Sequence, residues 1–311
     1  MFKVDKMFSV YFWVGFVAFV LVMLAIDLGV LNKKPKEPKF KEVFFLTIFW
    51  MILAFLFGGL IYAYAGSQKA MEFITGYLVE LSLSIDNVFV FVLLFNYFKV
   101  EIKYQHRVLF WGIVGAIVMR FLMITGGIYL VQHFQWIFYI FGAFLIFSAY
   151  KIAFSKSEEV EIEDNKLINF LKRYLRVTNK HHGDKFVVIE KGKRVFTPLF
   201  ILLILVEKSD LIFAMDSIPA ILAITQDSFI VFTSNIFAIL GLRSLYFLLA
   251  KVVHKFVYLK YGLSVILAYI GTKMILLVQG VHIPTSLSLG VIILSILVSV
   301  LLSLNKAKKI Q

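Results

Sequence analysis

Nine long apolar stretches, separated by shorter polar or basic ones, set the pattern of this chain: about 8–30, 43–65, 71–98, 108–131, 134–154, 196–224, 228–250, 256–279 and 285–304. Each exceeds the roughly 18 residues at which an apolar run reads as a membrane-crossing helix. The pattern predicts an all-α polytopic membrane protein of about nine transmembrane helices. One substantial polar segment, 155–195, separates helices one to five (1–154) from helices six to nine (196–311). Within it an acidic stretch, Glu158 to Asp164, passes into a basic helix-like piece, Lys166 to Arg176. Phe186 to Phe196 reads as a hairpin turning at Lys191-Gly192. His181 and His182 lack the neighbouring acid or Cys spacing of a metal site and read as surface histidines.

Composition agrees with the pattern: 61% of the 311 residues are hydrophobic and the mean hydropathy is +0.89. A soluble fold would need helices with almost no polar face. The net charge of +13 raises the question of nucleic acid, but its distribution answers it. With the N-terminus outside, the inner loops and tail carry 23 Lys and Arg and the outer ones carry 3, Lys3, Lys6 and Lys69. Such asymmetry is the positive-inside signal of a cytoplasmic-membrane protein with N-terminus out and C-terminus in. The basic charge therefore orients the chain and predicts no nucleic-acid partner. The first apolar run lacks a small-residue cleavage site and passes directly into Lys33–Lys41, which predicts a retained span. There is no cysteine, so disulfides and thiolate metal sites are excluded.

Charged residues inside the apolar runs change the picture. Glu80-Leu-Ser-Leu-Ser-Ile-Asp86-Asn87 and Asp210-Leu-Ile-Phe-Ala-Met-Asp216-Ser217 repeat an acid-x5-acid spacing, and Glu207 precedes the second copy. A carboxylate at the bilayer centre costs about 2.5–3.5 kcal/mol on the mildest scale, so it needs a partner or a task. Arg120 in the fourth span answers Arg243 in the seventh, and Lys151 in the fifth answers Lys273 in the eighth. Spans 3–5 (71–154) and 6–8 (196–279) thus read as two copies. An odd number of spans per copy makes the repeat inverted, the arrangement in which secondary transporters bind substrate at mid-membrane. Pro219, three residues after Asp216, predicts a helix break at Asp216-Ser217, and symmetry extends that expectation to Asp86-Asn87.

Carboxylates with Ser82, Ser84, Asn87, Ser209 and Ser217 offer oxygen only, which suits Mg, Ca or Mn over copper or zinc. Met215 beside Asp216 would tilt the choice toward Mn if its thioether took part, although a lipid-facing role is the plainer reading. Six embedded acids and six embedded bases also allow pure salt bridging. However, Lys151, Lys208 and Lys260 lie near helix ends where they can snorkel, which leaves an acidic surplus at depth. The expected ion path is therefore Glu80, Asp86, Asn87, Glu207, Asp210, Asp216 and Ser217, with Asp27 attracting ions at the entrance. Arg120, Arg243 and Lys273 are expected as counter-charges. No nucleophile–base pair, nucleotide loop or cofactor motif points to an enzyme, and no resident cofactor is expected. Ser209 and the adjacent Lys208 point apart on a helix.

At these residues the chain resembles the TerC family of integral membrane proteins. The resemblance rests on Ala25-Ile-Asp27-Leu-Gly29, on Glu80-x5-Asp86-Asn87, and on Thr197-Pro198 through Val206-Glu207-x-Ser209-Asp210-Leu-Ile-Phe-Ala-Met-Asp216-Ser217-Ile-Pro219. Gly241-Leu-Arg243-Ser-Leu-Tyr246 follows. Lys208 stands where the family pattern leads one to expect an uncharged residue. The resemblance implies a multi-spanning protein of the bacterial cytoplasmic membrane, similar to manganese exporters and to members linked to tellurium resistance. The expectation is efflux of divalent cations, above all manganese, by alternating access, with proton coupling possible in a carboxylate that exchanges metal for proton. The alternative is a membrane scaffold for metal-stress proteins acting through 155–195. Deleting that loop would abolish scaffolding and largely spare transport.

Overall fold

A computed structural model describes residues 10–26, 38–154, 175–178, 182–190, 192–250 and 258–310, with the side chains of Asp86 and 307–310 set aside. Asp27, His181, Lys191 and residues 155–174 of the polar segment, named above, lie outside these. The described helices are α1 (Val10–Ile26), α2 (Phe40–Tyr97), α3 (Ile102–His133), α4 (Ile137–Phe154), α5 (Pro198–Leu222), α6 (Ser228–Leu249), α7 (Leu259–Val278) and α8 (Thr285–Ile310). They coincide with the apolar runs, two of which fall in α2.

The 58 residues of α2 would make a rod of about 87 Å at 1.5 Å per residue, but the element folds back at Gly66. That residue sits at φ 85°, ψ 177°, a region essentially reserved for glycine. Its two arms then pack as an antiparallel pair. Phe57 meets Phe73 with ring centroids 5.3 Å apart, and Phe55 meets Tyr77 at 6.2 Å. Gly58 makes the approach possible, since a Cβ there would lie 2.8 Å from Ile74 Cδ1.

Among the described residues, six helices have the length and hydropathy to cross a membrane, and α2 is long enough to do so twice. α1 is shorter at 17 residues, and α5 is interrupted by Glu207, Lys208, Asp210 and Asp216. The outward faces are those of a protein solvated by lipid. Phe45, Leu56, Leu122, Phe147 and Leu294 are each more than 60% exposed, a density of bare apolar side chains that water would penalise. By contrast α6 is buried on nearly every side; a helix apolar all round belongs at a centre. Both arms of α2 and α3 pack against α6, α5 packs on α2 and α3, and α4 lies along α7. The last pair touches through backbone. A Cβ on Gly142 would stand 2.7 Å from the Gly271 carbonyl oxygen, and one on Gly271 would stand 2.7 Å from that of Gly142. Small residues permit such contact between membrane helices.

Between α4 and α5, strands β1 (Val187–Glu190) and β2 (Lys193–Phe196) pair antiparallel with Val187 opposite Phe196. Gly192, at φ 73°, lies in the turn. The hairpin is tied to the start of α5 by Thr197 N–H donating to the Phe186 carbonyl at 3.0 Å.

The expected helix breaks are absent. α5 runs helically through Asp216-Ser217, and Gly66 is the non-helical residue within α2. Pro219 lies in the last turn of α5, where its missing N–H costs the single bond to the Met215 carbonyl, and the helix continues through it to Leu222. α2 carries no proline near Asp86-Asn87 and has no cause to break there.

Candidate functional site

Helical spacing puts Glu80, Ser84, Asn87 and Phe91 on one face of α2, three or four residues apart. All four are at most 2% exposed. On α5 the same rule aligns Asp210 with Ser217, both buried. Between the two faces stands Arg120 of α3, 1% exposed. Its guanidinium is paired with the Glu80 carboxylate. It also donates to Asn235 Oδ1 of α6 at 2.6 Å, to Ser217 Oγ at 3.2 Å and to Asp210 Oδ1 at 3.4 Å. One guanidinium thus joins acids from α2 and α5 with a carboxamide from α6. Fully ionised, the trio of Glu80, Asp210 and Arg120 keeps one negative charge in excess.

The cluster is tight and incompletely satisfied. Among the described residues Asp210 Oδ2, Asn87 Oδ1, Ser84 Oγ and Arg120 Nε are buried without a hydrogen-bond partner. Three of these four atoms are oxygens lying along the facing sides of α2 and α5. Buried polar atoms seldom go unpaired unless a water, ion or function accounts for them. Beside them is a cavity of about 10 Å³ lined by Phe91, Gly112, Val206, Asp210 and Arg243, among others. That is room for about one water molecule. The site in this conformation is occluded.

Other expected residues are placed elsewhere. Asp216, six residues and hence about 120° around the helix from Asp210, faces α4 and accepts from Ser148 Oγ at 2.7 Å. With α5 unbroken, nothing turns it toward Glu80. Glu207 is half-buried against Gly115 of α3, where even a methyl group would meet its carboxylate. Arg243 is buried at the small cavity with Asp210. Lys273, expected as a counter-charge, donates to Ser288 Oγ of α8 at 3.0 Å. Ser82 and Ser209 donate to carbonyls of their own helices, Leu78 at 2.6 Å and Leu205 at 2.8 Å, as hydroxyls within helices commonly do. Met215 is 52% exposed on the outward face. Asp86 sits on α2 near the cluster in sequence, and its side chain lies outside the described set. Among the described residues no three His, Asp or Glu side chains gather as a metal cage.

Sequence reasoning missed Asn235 and Glu72. Asn235 had a signal, the polar run Thr233-Ser234-Asn235 inside an otherwise apolar span. Glu72 was hidden by its position at a helix start, where an acid is unremarkable. It is nonetheless 8% exposed and accepts from Thr225 Oγ1 at 2.6 Å and Lys69 Nζ at 3.0 Å.

The sequence that builds this cluster has counterparts in known proteins. The model of the family described as "Integral membrane protein TerC family" matches residues 65–311. The chain is 47% identical over 289 residues to the "Putative membrane-bound redox modulator Alx" of Escherichia coli (strain K12), covering 90% of each chain. It is 45% identical over 307 residues to the protein of the same name in Photorhabdus laumondii, covering 95% of this chain and 96% of the other. The "Uncharacterized membrane protein STKORF319" of Myxococcus xanthus is 46% identical over 296 residues, with 95% and 92% covered. No solved structure matches. The matched region holds every residue of the Arg120 cluster, and with relatives this similar over nearly their whole length the chain belongs to the TerC family of integral membrane proteins.

Proposed function

We propose that this protein exports divalent metal cations, manganese foremost, across the cytoplasmic membrane through the buried site shared by Glu80, Asp210 and Arg120. The observation that carries the reading is the convergence of two carboxylates from separate halves of the chain on one arginine, deep among helices. Intramembrane ionisable residues that face the bundle interior mark ion paths by default. The unpaired oxygens of Asp210, Asn87 and Ser84 supply hard donors of the kind Mn and Mg prefer. Arg120 acts as a resident cation that neutralises the site when substrate is absent and must shift when a divalent ion arrives. Asp216, on another face of α5, and Glu207, one turn from Asp210 on the same face, serve as approach positions. The basic loops support an orientation with the Gly66 end outside. The reciprocal Gly142–Gly271 contact supports an inverted pair of three-helix units. A proton taking the place of the metal on Glu80 or Asp210 would couple export to the proton gradient.

The redox role in the name of some relatives has no thiol to work with here, since the chain contains no cysteine. The test is export itself. Cells producing Glu80→Gln or Asp210→Asn should retain manganese after a challenge, whereas wild-type cells clear it. Full clearance by both variants, at equal membrane abundance, removes the site from the mechanism.

A further inference from the structure

A second polar assembly lies at the Gly66 end of the bundle, two helical turns above Glu80 on the same face of α2. Glu72, Gly76 and Glu80 succeed one another at four-residue intervals, so Glu72 stands about 12 Å from Glu80 along the axis. The Glu72 carboxylate accepts from Thr225 Oγ1 in the α5–α6 turn at 2.6 Å, from Lys69 Nζ at 3.0 Å and from Gln68 Nε2 at 3.2 Å. Lys69 also pairs with Asp227 at 3.3 Å, while Asp227 caps α6 by accepting from the Phe229 and Ile230 N–H groups at 3.0 and 3.3 Å. Gln68 reaches Thr285 Oγ1 at the start of α8 at 3.3 Å. The net therefore ties α2, the α5–α6 turn and α8 together across the mouth of the bundle.

Beneath it the interior is plugged at one level. A Cβ on Gly76 would collide with the side chain of Ile221 and lie 3.0 Å from Ser234 Oγ. Ile221 and Ser234 are 1% and 0% exposed. Below that level begin Asn235, Ser217 and Glu80 of the Arg120 cluster. Polar residues thus stand above and below an apolar layer in which Ile221 meets Gly76. Above the net, Gly66 has open space around its α-carbon, with no atom within 4 Å of where a Cβ would stand. It is three residues from Lys69 and, as a glycine, has the widest choice of backbone dihedrals at this bend.

We propose that Lys69, Glu72, Thr225 and Asp227 form the external gate of the path, with Gly66 as its hinge and Ile221 as its plug. This rests on the export reading and names the regulation of the same site. In the closed state Lys69 holds Glu72 and Asp227 together. An ion leaving the central site competes with the Lys69 ammonium for Glu72, which releases the α5–α6 turn and lets Ile221 move off Gly76. The opposite end of the bundle is closed differently, by ring packing of Phe95 on Tyr246 at 5.4 Å and by Tyr246 O–H donating to Gln105 at 2.9 Å. The mouth at Gly66 is held instead by charges that a passing cation can displace.

The absence of native cysteine makes the test clean. Ser234→Cys reports from the plug itself, where Ser234 and Ile221 both meet Gly76, and Ser244→Cys, 3% exposed farther along α6, serves as control. A membrane-impermeant thiol reagent is applied from outside to each reporter, alone and combined with Glu72→Gln or Lys69→Gln, without added metal. Loss of one charge-assisted bond in a two-state equilibrium should raise labelling of Ser234→Cys about tenfold and leave Ser244→Cys unchanged. Unchanged labelling at Ser234→Cys, or an equal rise at both reporters from general loosening, overturns the gate. Labelling needs no transport, so the two readings fail separately. A responsive reporter with full export by Glu80→Gln and Asp210→Asn retires the export site alone, and a silent reporter with failed export retires the gate alone.

Discussion

Removing the Arg120 guanidinium should be among the most damaging single changes in the chain, and the damage should depend on Glu80. Arg120, Glu80 and Asp210 are 1%, 2% and 3% exposed. Arg120→Met keeps the volume and strips the cation, leaving the two carboxylates without the guanidinium they share. Breaking a buried pair in this way costs about 3–5 kcal/mol. Glu80→Gln keeps an amide oxygen for Arg120 to bond and leaves Asp210 in place, so it loses one charge-assisted bond, about 1.5–3 kcal/mol. In the double variant Glu80 no longer presents an unpaired charge and only Asp210 is stranded. The pair should therefore be less destabilised than the sum of the singles, by about 1.5–3 kcal/mol on the same scale. Unfolding of the purified protein in detergent, followed by pulse proteolysis for all four proteins of the cycle, measures this difference. Additivity within about 0.5 kcal/mol would mean that the carboxylate and guanidinium act independently, and the shared-cation account of the site would be wrong.

Two further changes probe what holds the bundle. Gly142→Ala places its methyl against the Gly271 carbonyl oxygen, which as backbone cannot yield; we predict a loss of about 1–3 kcal/mol by overpacking, read as a lower unfolding midpoint, and no change would show that the α4–α7 contact is looser than described. Gly66→Ala meets no neighbour yet must hold φ 85°; its predicted cost of about 1–3 kcal/mol is pure backbone strain, measurable in the same assay, and should be absent if the fold-back lies at another residue.

Much of this architecture was legible because a bilayer asks for long apolar runs, and α1 through α8 lie where those runs are. The join of two spans into one folded-back element was not, since a single glycine among Ala65-Gly66-Ser67 is a weak signal without the packing of Phe57 on Phe73. The pairing of Glu80 with Arg120 and Asp210 was foreseen in kind but not in pattern: periodicity says which residues share a face, not which helix that face meets. Pro219 misled for a related reason. A proline announces a lost hydrogen bond, but whether that interrupts or ends a helix depends on where the neighbouring chain turns. Asn235 and Glu72 act through partners far away in sequence, Arg120 and Thr225, and no local rule reveals such partners.

The backbone-to-backbone seat of Gly142 on Gly271 has a mechanical meaning. At the point of contact backbone meets backbone, and the flanking side chains of Ile275, Leu145 and Ile146 crowd its edges and block sliding. Movement there is confined to rocking about the point of contact, and elements farther away must sweep wider arcs for the same rotation. The seam between α4 and α7 thus has the geometry of a fulcrum, and the mouth at Gly66 that of the end of a lever.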